Sequence, residues 1–324
     1  MSRSTNNPLA RLLLRRLGQM LPTAFLTTVM TFLLIHLVPG GPADALLSVS
    51  STDIDPAVIN QRLGLDKPLH EQYWHWLTGV LRGDLGTSLV NGAPVADQIL
   101  YRLPVSLELV GLALIMSAAV AVPLGAWTAQ RGGRRSDGAI RAASGMGLAV
   151  PDFFLAIVLI DVFAVGLSLF PALGYVPFSR NPAENLQHLA LPATALAAGA
   201  AAVVVRQVRA AMIDELSSEY VRSARAMGLT ERTVVWRYAF RNILPTLLTV
   251  YGLLAIGMLG ATVLQEQIFM LPGMSGALVT AIETRDYPML QGIVLSYVAI
   301  VLGLNLVIDL ANVWLTPRLR SEAH

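Results

Sequence analysis

The sequence contains no cysteine among its 324 residues and only one lysine, Lys67. The absence of cysteine excludes disulfides, thiolate metal sites and cysteine nucleophiles. A P-loop ATPase needs a lysine within a Gly-Lys-Ser/Thr sequence to bind the β- and γ-phosphates. Lys67 stands instead in Asp-Lys-Pro. This chain therefore cannot be a P-loop ATPase, and uphill transport would take its energy from another subunit or from an ion gradient.

Charged residues are also scarce, because they make up 14% of the chain against 54% hydrophobic residues. Soluble domains carry about 25% charged residues, so lipid is the natural surrounding for this chain. The net charge of +2 shows none of the strong basic excess that is typical of nucleic-acid-binding proteins. His70, Glu71 and His75 resemble a zinc-protease helix, but the second histidine of that motif must follow the first by four residues, and Trp74 occupies that position. No metal-ligating, catalytic or cofactor-binding residue is predicted.

Long apolar segments are the main feature that is present. About 20 apolar residues are needed to cross roughly 30 Å of hydrocarbon as a helix. Six segments meet this length, at 14–38, 104–129, 143–170, 190–213, 243–267 and 289–315. The apolar run within the first segment is too long for the core of a signal peptide. The predicted fold class is an all-α integral membrane protein with about six transmembrane helices and a large extracytoplasmic loop after helix 1.

The distribution of basic residues predicts the orientation in the membrane, because cytoplasmic segments are enriched in arginine and lysine. Placing the N-terminus in the cytoplasm puts 17 of the 23 basic residues inside. Both termini are therefore predicted to be cytoplasmic. The resulting division is an N-terminal segment at 1–13, a first transmembrane helix at 14–38, an extracytoplasmic loop at 39–103, a core transmembrane domain at 104–315 that contains a cytoplasmic loop at 214–242, and a cytoplasmic tail at 316–324.

The extracytoplasmic loop contains a predicted amphipathic helix between Pro68 and Arg82. Proline suits the first position of a helix. The apolar residues of this segment then fall on one face, namely Leu69, Tyr73, Trp76, Leu77, Val80 and Leu81. Such a helix lies at the membrane surface or against the spans.

Acidic residues within the spans are single and scattered. Asp161 and Asp309 lie inside the third and sixth segments, Asp152 lies near the inner end of the third, and Glu108 and Glu266 lie nearer span ends. Intramembrane carboxylates usually mark ion or proton routes. Here they have no basic partners in the same spans, so we predict hydrogen-bonded packing residues. An ion-coupled secondary transporter is the alternative that these acids keep open.

The cytoplasmic loop is predicted to contain a short helix from Glu219 to Met227 that stops at Gly228, where glycine suits a left-handed conformation. Such a helix can place one face in the groove of a partner protein. A basic loop can also bind anionic lipid headgroups. Composition leaves both interpretations open.

Three stretches carry a family resemblance, at 63–114, 219–245 and 266–292. The first reads LGLDKPLHEQYWHWLTGVLRGDLGTSL and then LPVSLELV, the second EYVRSARAMGLTERTVVWRYAFRNILP, and the third EQIFMLPGMSGALVTAIETRDYPMLQG. They resemble the B-type permease subunits of bacterial peptide/nickel ABC importers, and most closely the dipeptide and oligopeptide systems. Two positions differ from the family pattern. Arg222 stands where the family usually has an acidic residue, and Ser275-Gly276 stands where it usually has glycine followed by a basic or polar residue.

The resemblance implies the type I fold of ABC importer permeases and half of a translocation pathway for di- or oligopeptides. It implies three kinds of protein partner: a second homologous permease, two cytoplasmic ATPases that use ATP and Mg²⁺, and an extracytoplasmic substrate-binding protein. The lipid bilayer of the inner membrane would surround the chain. This chain itself would need no cofactor. Nickel, a metal chelate, glutathione or an opine-like compound remain alternative substrates, and a non-transporting scaffold is a third interpretation.

The resemblance also assigns roles to residues. Residues of the cytoplasmic loop would couple to the ATPase, namely Glu219, Arg222, Ala224, Arg225, Gly228 and Leu229. Residues of the loops at 39–103 and 268–288 would face the binding protein, namely Gly83, Asp84, Pro272, Gly273, Arg285, Asp286 and Tyr287. The residues of the substrate path are not identified by the sequence.

Overall fold

A computed structural model describes residues 8–37, 64, 66–131, 138 and 150–315. Helices dominate these residues, and no β-strand occurs among them. In chain order the helices are α1 Pro8–Leu37, α2 Leu69–Leu81, α3 Val95–Gln130, α4 Asp152–Leu159, α5 Pro182–Leu216, α6 Glu219–Ala226, α7 Glu231–Ile268, α8 Met274–Glu283 and α9 Tyr287–Leu315. The predicted all-α class is confirmed.

Four of the predicted spans coincide with helices that are long and apolar enough to cross a membrane. These are α3, α5, α7 and α9, with 36, 35, 38 and 29 residues. At 1.5 Å per residue even the shortest exceeds the roughly 30 Å of hydrocarbon. The helices extend past several predicted span limits; α3, for example, already begins at Val95 rather than at 104.

The first and third predicted spans are only partly described. The first falls within α1, apart from residue 38, which lies outside the described residues. Residues 143–149 of the third also lie outside them. From Asp152 the helix α4 continues as a π-helix, Ile160–Gly166. The helix stops at Gly166, a few residues before the approximate predicted limit of 170, and Ser168 adopts a φ of 52°, which a right-handed helix cannot contain.

The amphipathic helix of the extracytoplasmic loop is confirmed as α2. Tyr73 is buried on its inner face, where its hydroxyl hydrogen-bonds Thr28 of α1 at 2.9 Å and its ring packs edge-on against Phe32. Trp76, Leu77 and Val80 are half-buried on the same face. Leu69 and Leu81, which the pattern also placed there, are exposed because they are the terminal residues of the helix.

The contacts of the chain divide it into two compact units. One contains the described residues of Met1–Pro104 and Gly273–Leu306, and the other those of Val105–Pro272 and Val307–Glu322. In the first unit, Val95 and Ile99 of α3 form a core with Met274 of α8 and Ile293 of α9. This core fixes the start of α3 and the start of α9 against α8.

The second unit is built on α3, α5 and α7. Its core contains Val204 and Val208 of α5 with Ile243 and Leu247 of α7. At Gly125, α3 approaches α5 so closely that a Cβ atom there would lie 2.7 Å from Cβ of Val208. Small residues at helix crossings allow this kind of close packing in membranes.

Two acids predicted to be packing residues have that role. In the second unit Glu108 accepts hydrogen bonds from the Tyr175 hydroxyl and the Asn185 amide, both at 2.9 Å. Glu266 is 1% exposed and accepts a hydrogen bond of 2.6 Å from Ser106. A carboxylate with such donors is stabilised in place, so the half-buried Glu108 and the buried Glu266 both link α3 to other segments of this unit.

Candidate functional site

The predicted short helix of the cytoplasmic loop is present as α6, and its end is built as a Schellman motif. Gly228 adopts a φ of 81°. Its N–H donates to the carbonyl of Arg225 at 3.0 Å, and the N–H of Leu229 donates to that of Ala224 at 3.3 Å. These bonds satisfy the last carbonyls of the helix. The predicted stop at Gly228 is confirmed.

The inner face of α6 is apolar. Val221 and Ala224 are buried against Val234 of α7, and Leu229 packs against the same cluster. The contact between Ala224 and Leu229 is the hydrophobic contact that accompanies a Schellman motif. Ala224 and Leu229 therefore seat α6, and neither side chain forms its outer surface.

The outer face of α6 is exposed and carries charge. Glu219 and Arg222 are both exposed, and Met227, directly after the helix, is 73% exposed. An exposed methionine beside an arginine is a surface composition that protein interfaces favour. Of the predicted coupling residues, Glu219, Arg222, Arg225 and Gly228 are thus the ones accessible to a partner.

Arg225 ties α6 to the first turn of α7. Its Nε donates to Oε1 of Glu231 at 2.7 Å, and a second nitrogen donates to Oε2 at 3.3 Å. A further guanidinium nitrogen reaches the Leu216 carbonyl at the end of α5 at 3.4 Å. The side chains of this ion pair are 40% and 60% exposed, so it adds at most about 1 kcal/mol to stability. Its larger effect is to fix the direction of α6.

A second link joins α6 to the two long helices and was missed by sequence reasoning. The Tyr220 hydroxyl donates to Oε1 of Glu215 in α5, and the Asn242 amide of α7 donates to both that oxygen and the Tyr220 oxygen, each at 2.9 Å. Burial of the ring, with the neighbouring Glu215 as the next cause, raises the pKa of Tyr220 above 10.0. No local pattern signals this network, because its three residues lie on three different helices.

The start of α7 is irregular. After Glu231–Thr233 the chain forms a π-helix over Val234–Ala239 before it continues as a regular α-helix. Such π-bulges are rare and often lie at functional sites. Here the bulge lies directly between α6 and the long apolar part of α7.

The predicted extracytoplasmic site residues differ in accessibility. Gly83 and Asp84 are exposed at the end of α2. Pro272, Arg285 and Tyr287 are half-buried, and Gly273 is buried at the start of α8. Arg285 adopts a φ of 53°, a left-handed conformation unusual for a residue with a side chain.

Asp286 differs from the prediction that it faces outward, because its side chain is buried at 3% exposure. Its carboxylate accepts hydrogen bonds from the Ser88 hydroxyl, from the Leu89 N–H at 3.1 Å and from the Met289 N–H at 3.3 Å. It therefore caps the start of α9 and fastens it to the loop after α2. Asp286 thus supports the predicted extracytoplasmic surface from a buried position inside the first unit.

The comparisons with known proteins cover nearly the whole chain. Residues 121–321 match the family described as binding-protein-dependent transport system inner membrane component, and residues 9–110 match the N-terminal domain of the same family. A putative peptide transport system permease protein of Brucella abortus is 35% identical over 311 residues, covering 96% of this chain and 99% of that protein.

A second relative and a solved structure agree with this match. The glutathione transport system permease protein GsiC of Salmonella choleraesuis is 34% identical over 309 residues, covering 95% and 98% of the two chains. A structure of the MetNI methionine ABC transporter in an inward-facing conformation matches with a TM-score of 0.55 at 16% identity, covering 67% of this chain and 96% of that chain. At that identity the structural match bears on the fold alone.

Proposed function

Because the chain belongs to the family of inner membrane components of binding-protein-dependent transport systems, we propose that it forms half of a translocation pathway for di- or oligopeptides and that α6 couples it to an ATPase. Permeases of this kind work with ATPase and substrate-binding subunits. The finer assembly that we propose is a heterodimer with a second homologous permease, bound by two cytoplasmic ATPases.

The observation that carries the coupling role is the way in which α6 is held. Its inner face is packed on Val234, and its polar contacts reach α5 through Glu215 and α7 through Glu231 and Asn242. A force applied to the exposed Arg222 and Met227 would therefore reach two long apolar helices together. A switch of this kind needs an element that has two packed arrangements, and α5 and α7 are the elements that α6 would move.

Energy would come from outside this chain. Its only lysine lies in Asp-Lys-Pro, which is not a P-loop sequence. ATP and Mg²⁺ would accordingly be bound by the partner ATPases. ATP binding there would bias the spans between inward- and outward-facing states.

The extracytoplasmic role rests on the loops at 39–103 and 268–288. Gly83 and Asp84 are exposed, and Arg285 and Tyr287 are partly so, which supports contact with a substrate-binding protein. Asp286 supports that surface by capping α9. The charge distribution supports cytoplasmic termini.

Peptides are the substrate that the relatives favour, because the similar proteins are a peptide permease and a glutathione permease by name. Glutathione is itself a modified tripeptide. Nickel, a metal chelate or an opine-like compound would use the same permease role with a different binding protein.

An ion-coupled carrier acting alone is the candidate from a different class. It would need intramembrane acids that are free to bind ions. Glu108 and Glu266 are engaged in hydrogen bonds within the chain, which disfavours it. Under that alternative, Asp161→Asn and Asp309→Asn would abolish transport without any ATPase present.

The experiment that tests the coupling role compares the intact transporter with one that lacks residues 219–228, both reconstituted in proteoliposomes. We expect the purified chain to hydrolyse no ATP, and we expect the deletion to abolish peptide uptake while membrane insertion is retained. Normal ATP-driven uptake after the deletion would refute the coupling role.

A further inference from the structure

A cavity of about 370 Å³ lies within the second unit, between the start of α4 and the middle parts of α5 and α7. Its size falls in the range of sites that hold small molecules, roughly 300–1,000 Å³. Small residues dominate the α5 wall, namely Ala195, Ala198, Gly199 and Ala200, and α7 adds Gly257 and Ala261 beside larger apolar residues. The lining positions on α5 and α7 fall within the predicted spans 190–213 and 243–267, so the cavity lies at membrane depth.

Among the described residues that line this cavity, Asp152 is the one that carries a charge. Its side chain is half-buried, and its Oδ1 accepts a hydrogen bond of 2.8 Å from the N–H of Phe153. Within the described part of the chain, no arginine or lysine pairs with it. A carboxylate at membrane depth is costly unless it faces water or a partner, and such residues mark substrate or ion routes.

From these observations we propose that the Asp152 cavity is a substrate station of the translocation pathway and that its carboxylate binds the protonated amino group of the passing peptide. This inference rests on the proposed function. Charge complementarity selects the occupant, because a peptide with a free N-terminus presents a primary ammonium group that can donate hydrogen bonds to a carboxylate.

The remaining lining explains how such a station would serve varied peptides. The alanine and glycine residues of the α5 wall leave room for different side chains, and apart from Asp152 the lining side chains are apolar and require no polar match. A transport pathway needs binding that is strong enough for entry and weak enough for release. One carboxylate in an open apolar cavity meets this requirement.

A divalent metal ion is a poorer occupant. Hard cations take about six or more oxygen ligands when protein groups hold them. Among the described residues, no group of three or more His, Asp or Glu side chains is placed to hold a metal ion.

The absence of cysteine from this chain allows a direct test in the complete transporter, assembled with partner subunits from which any cysteine has been removed. Gly257 lines the cavity and is exposed, and a Cβ atom added there would meet no other atom within 4 Å. Gly257→Cys therefore introduces one accessible thiol without a clash. Gly260 on the same helix is equally open but does not line the cavity, so Gly260→Cys is the matched control.

The measurement is the labelling rate of each thiol with a cationic and an anionic methanethiosulfonate reagent. With Asp152 present, we expect the ratio of the cationic to the anionic labelling rate to be about fivefold higher at Gly257→Cys than at Gly260→Cys, because the carboxylate attracts the cation. The control site corrects for the preference that any thiolate has for the cationic reagent. Asp152→Asn should remove that difference between the two sites. Added alanyl-alanine should slow labelling at Gly257→Cys and leave Gly260→Cys unchanged.

Transport gives the second readout. Asp152→Asn should lower uptake of alanyl-alanine about fivefold at equal expression, and Asp152→Glu should restore it. The control is Asp161→Asn, which changes an exposed residue outside the cavity and should leave uptake unchanged. With Asp152 intact, equal ratios of cationic to anionic labelling at Gly257→Cys and Gly260→Cys would overturn the proposal. So would an inert thiol at Gly257→Cys in the assembled complex, which would mean that a helix of the partner permease fills the cavity. Failure of the proposed function is distinct, since it would remove ATP-driven uptake from the unmodified transporter.

Discussion

Single residues decide how α6 is attached to the rest of its unit. Tyr220, Glu215 and Asn242 form a hydrogen-bonded group that spans three helices. Arg225 and Glu231 form a second, independent link. Each link is exposed and contributes little to global stability. Together the two links hold α6 in one orientation relative to α5 and α7.

The tyrosine link predicts a coupling defect without a folding defect. Tyr220→Phe removes the hydroxyl that contacts Glu215 and Asn242, and we expect the number of peptides transported per ATP hydrolysed to fall about twofold to tenfold, the range that a net hydrogen bond of about 0.5–1.5 kcal/mol implies. Uptake and ATP hydrolysis measured together in proteoliposomes give this ratio.

Tyr238→Phe is the control, because Tyr238 lies on the same helix as Asn242 and is 37% exposed, against 38% for Tyr220. An unchanged ratio in Tyr220→Phe would exclude the link from the transmission of force.

The pH dependence of this link follows from the raised pKa of Tyr220. A group whose pKa is raised in the folded state stabilises that state while it is protonated, and the contribution is lost as the pH rises through the raised pKa. The Tyr220 contribution is therefore complete at neutral pH and is lost only above pH 10.0. A pH titration of the ultraviolet tyrosine absorbance, with Tyr220→Phe as the reference, should show one tyrosine ionising above that value.

The way in which helices end shapes the two predicted docking surfaces, the cytoplasmic one at α6 and the extracytoplasmic one at the loop 268–288. Four of the described helices finish in Schellman motifs, with left-handed residues Gly83 after α2, Gly228 after α6, Met270 after α7 and Arg285 after α8. Glycine takes this conformation without strain, whereas other residues take it at a cost of about 1–2 kcal/mol. The two strained positions both lie in the extracytoplasmic loop at 268–288.

The left-handed strain at Arg285 supports the hypothesis that its side chain contacts the substrate-binding protein. Arg285→Gly should leave the unfolding temperature in detergent equal or higher, because glycine relieves the left-handed strain. We expect uptake that depends on the substrate-binding protein to fall nonetheless. Met270→Gly relieves the same strain at a residue outside the predicted contact set and should leave uptake unchanged. If Arg285→Gly transports normally, the arginine has no role in docking.

At the scale of the whole molecule, the family match and the four long apolar helices establish a multi-pass inner membrane protein. The orientation is a prediction from the arginine distribution, under which the loop at 214–242 would lie in the cytoplasm. The coupling proposal depends on that orientation, because α6 can meet a cytoplasmic ATPase only from the inside.

Cysteine labelling tests the orientation. Thr230 is exposed beside α6 and Asn91 is exposed in the predicted extracytoplasmic loop. In intact cells a membrane-impermeant maleimide should label Asn91→Cys and not Thr230→Cys, and permeabilisation should expose both. Labelling of Thr230→Cys in intact cells would invert the topology and remove the coupling role of α6.

The sequence by itself determined the features that depend on neighbouring residues. Apolar length set α3, α5, α7 and α9, the spacing of apolar residues around a helix set the buried Tyr73 of α2, and Gly228 set the end of α6. The family resemblance, read from three local stretches, was likewise confirmed by the comparisons.

Only the tertiary structure decided which distant residues meet. Ser88 and Asp286 are 198 positions apart, and their contact turned an expected surface acid into a buried helix cap. Tyr220 gained its partners, and Asp152 its cavity, from helices elsewhere in the chain. Local patterns record which face of a helix is apolar, but the neighbour that covers this face depends on how all the helices pack, and that information is absent from any short window of sequence.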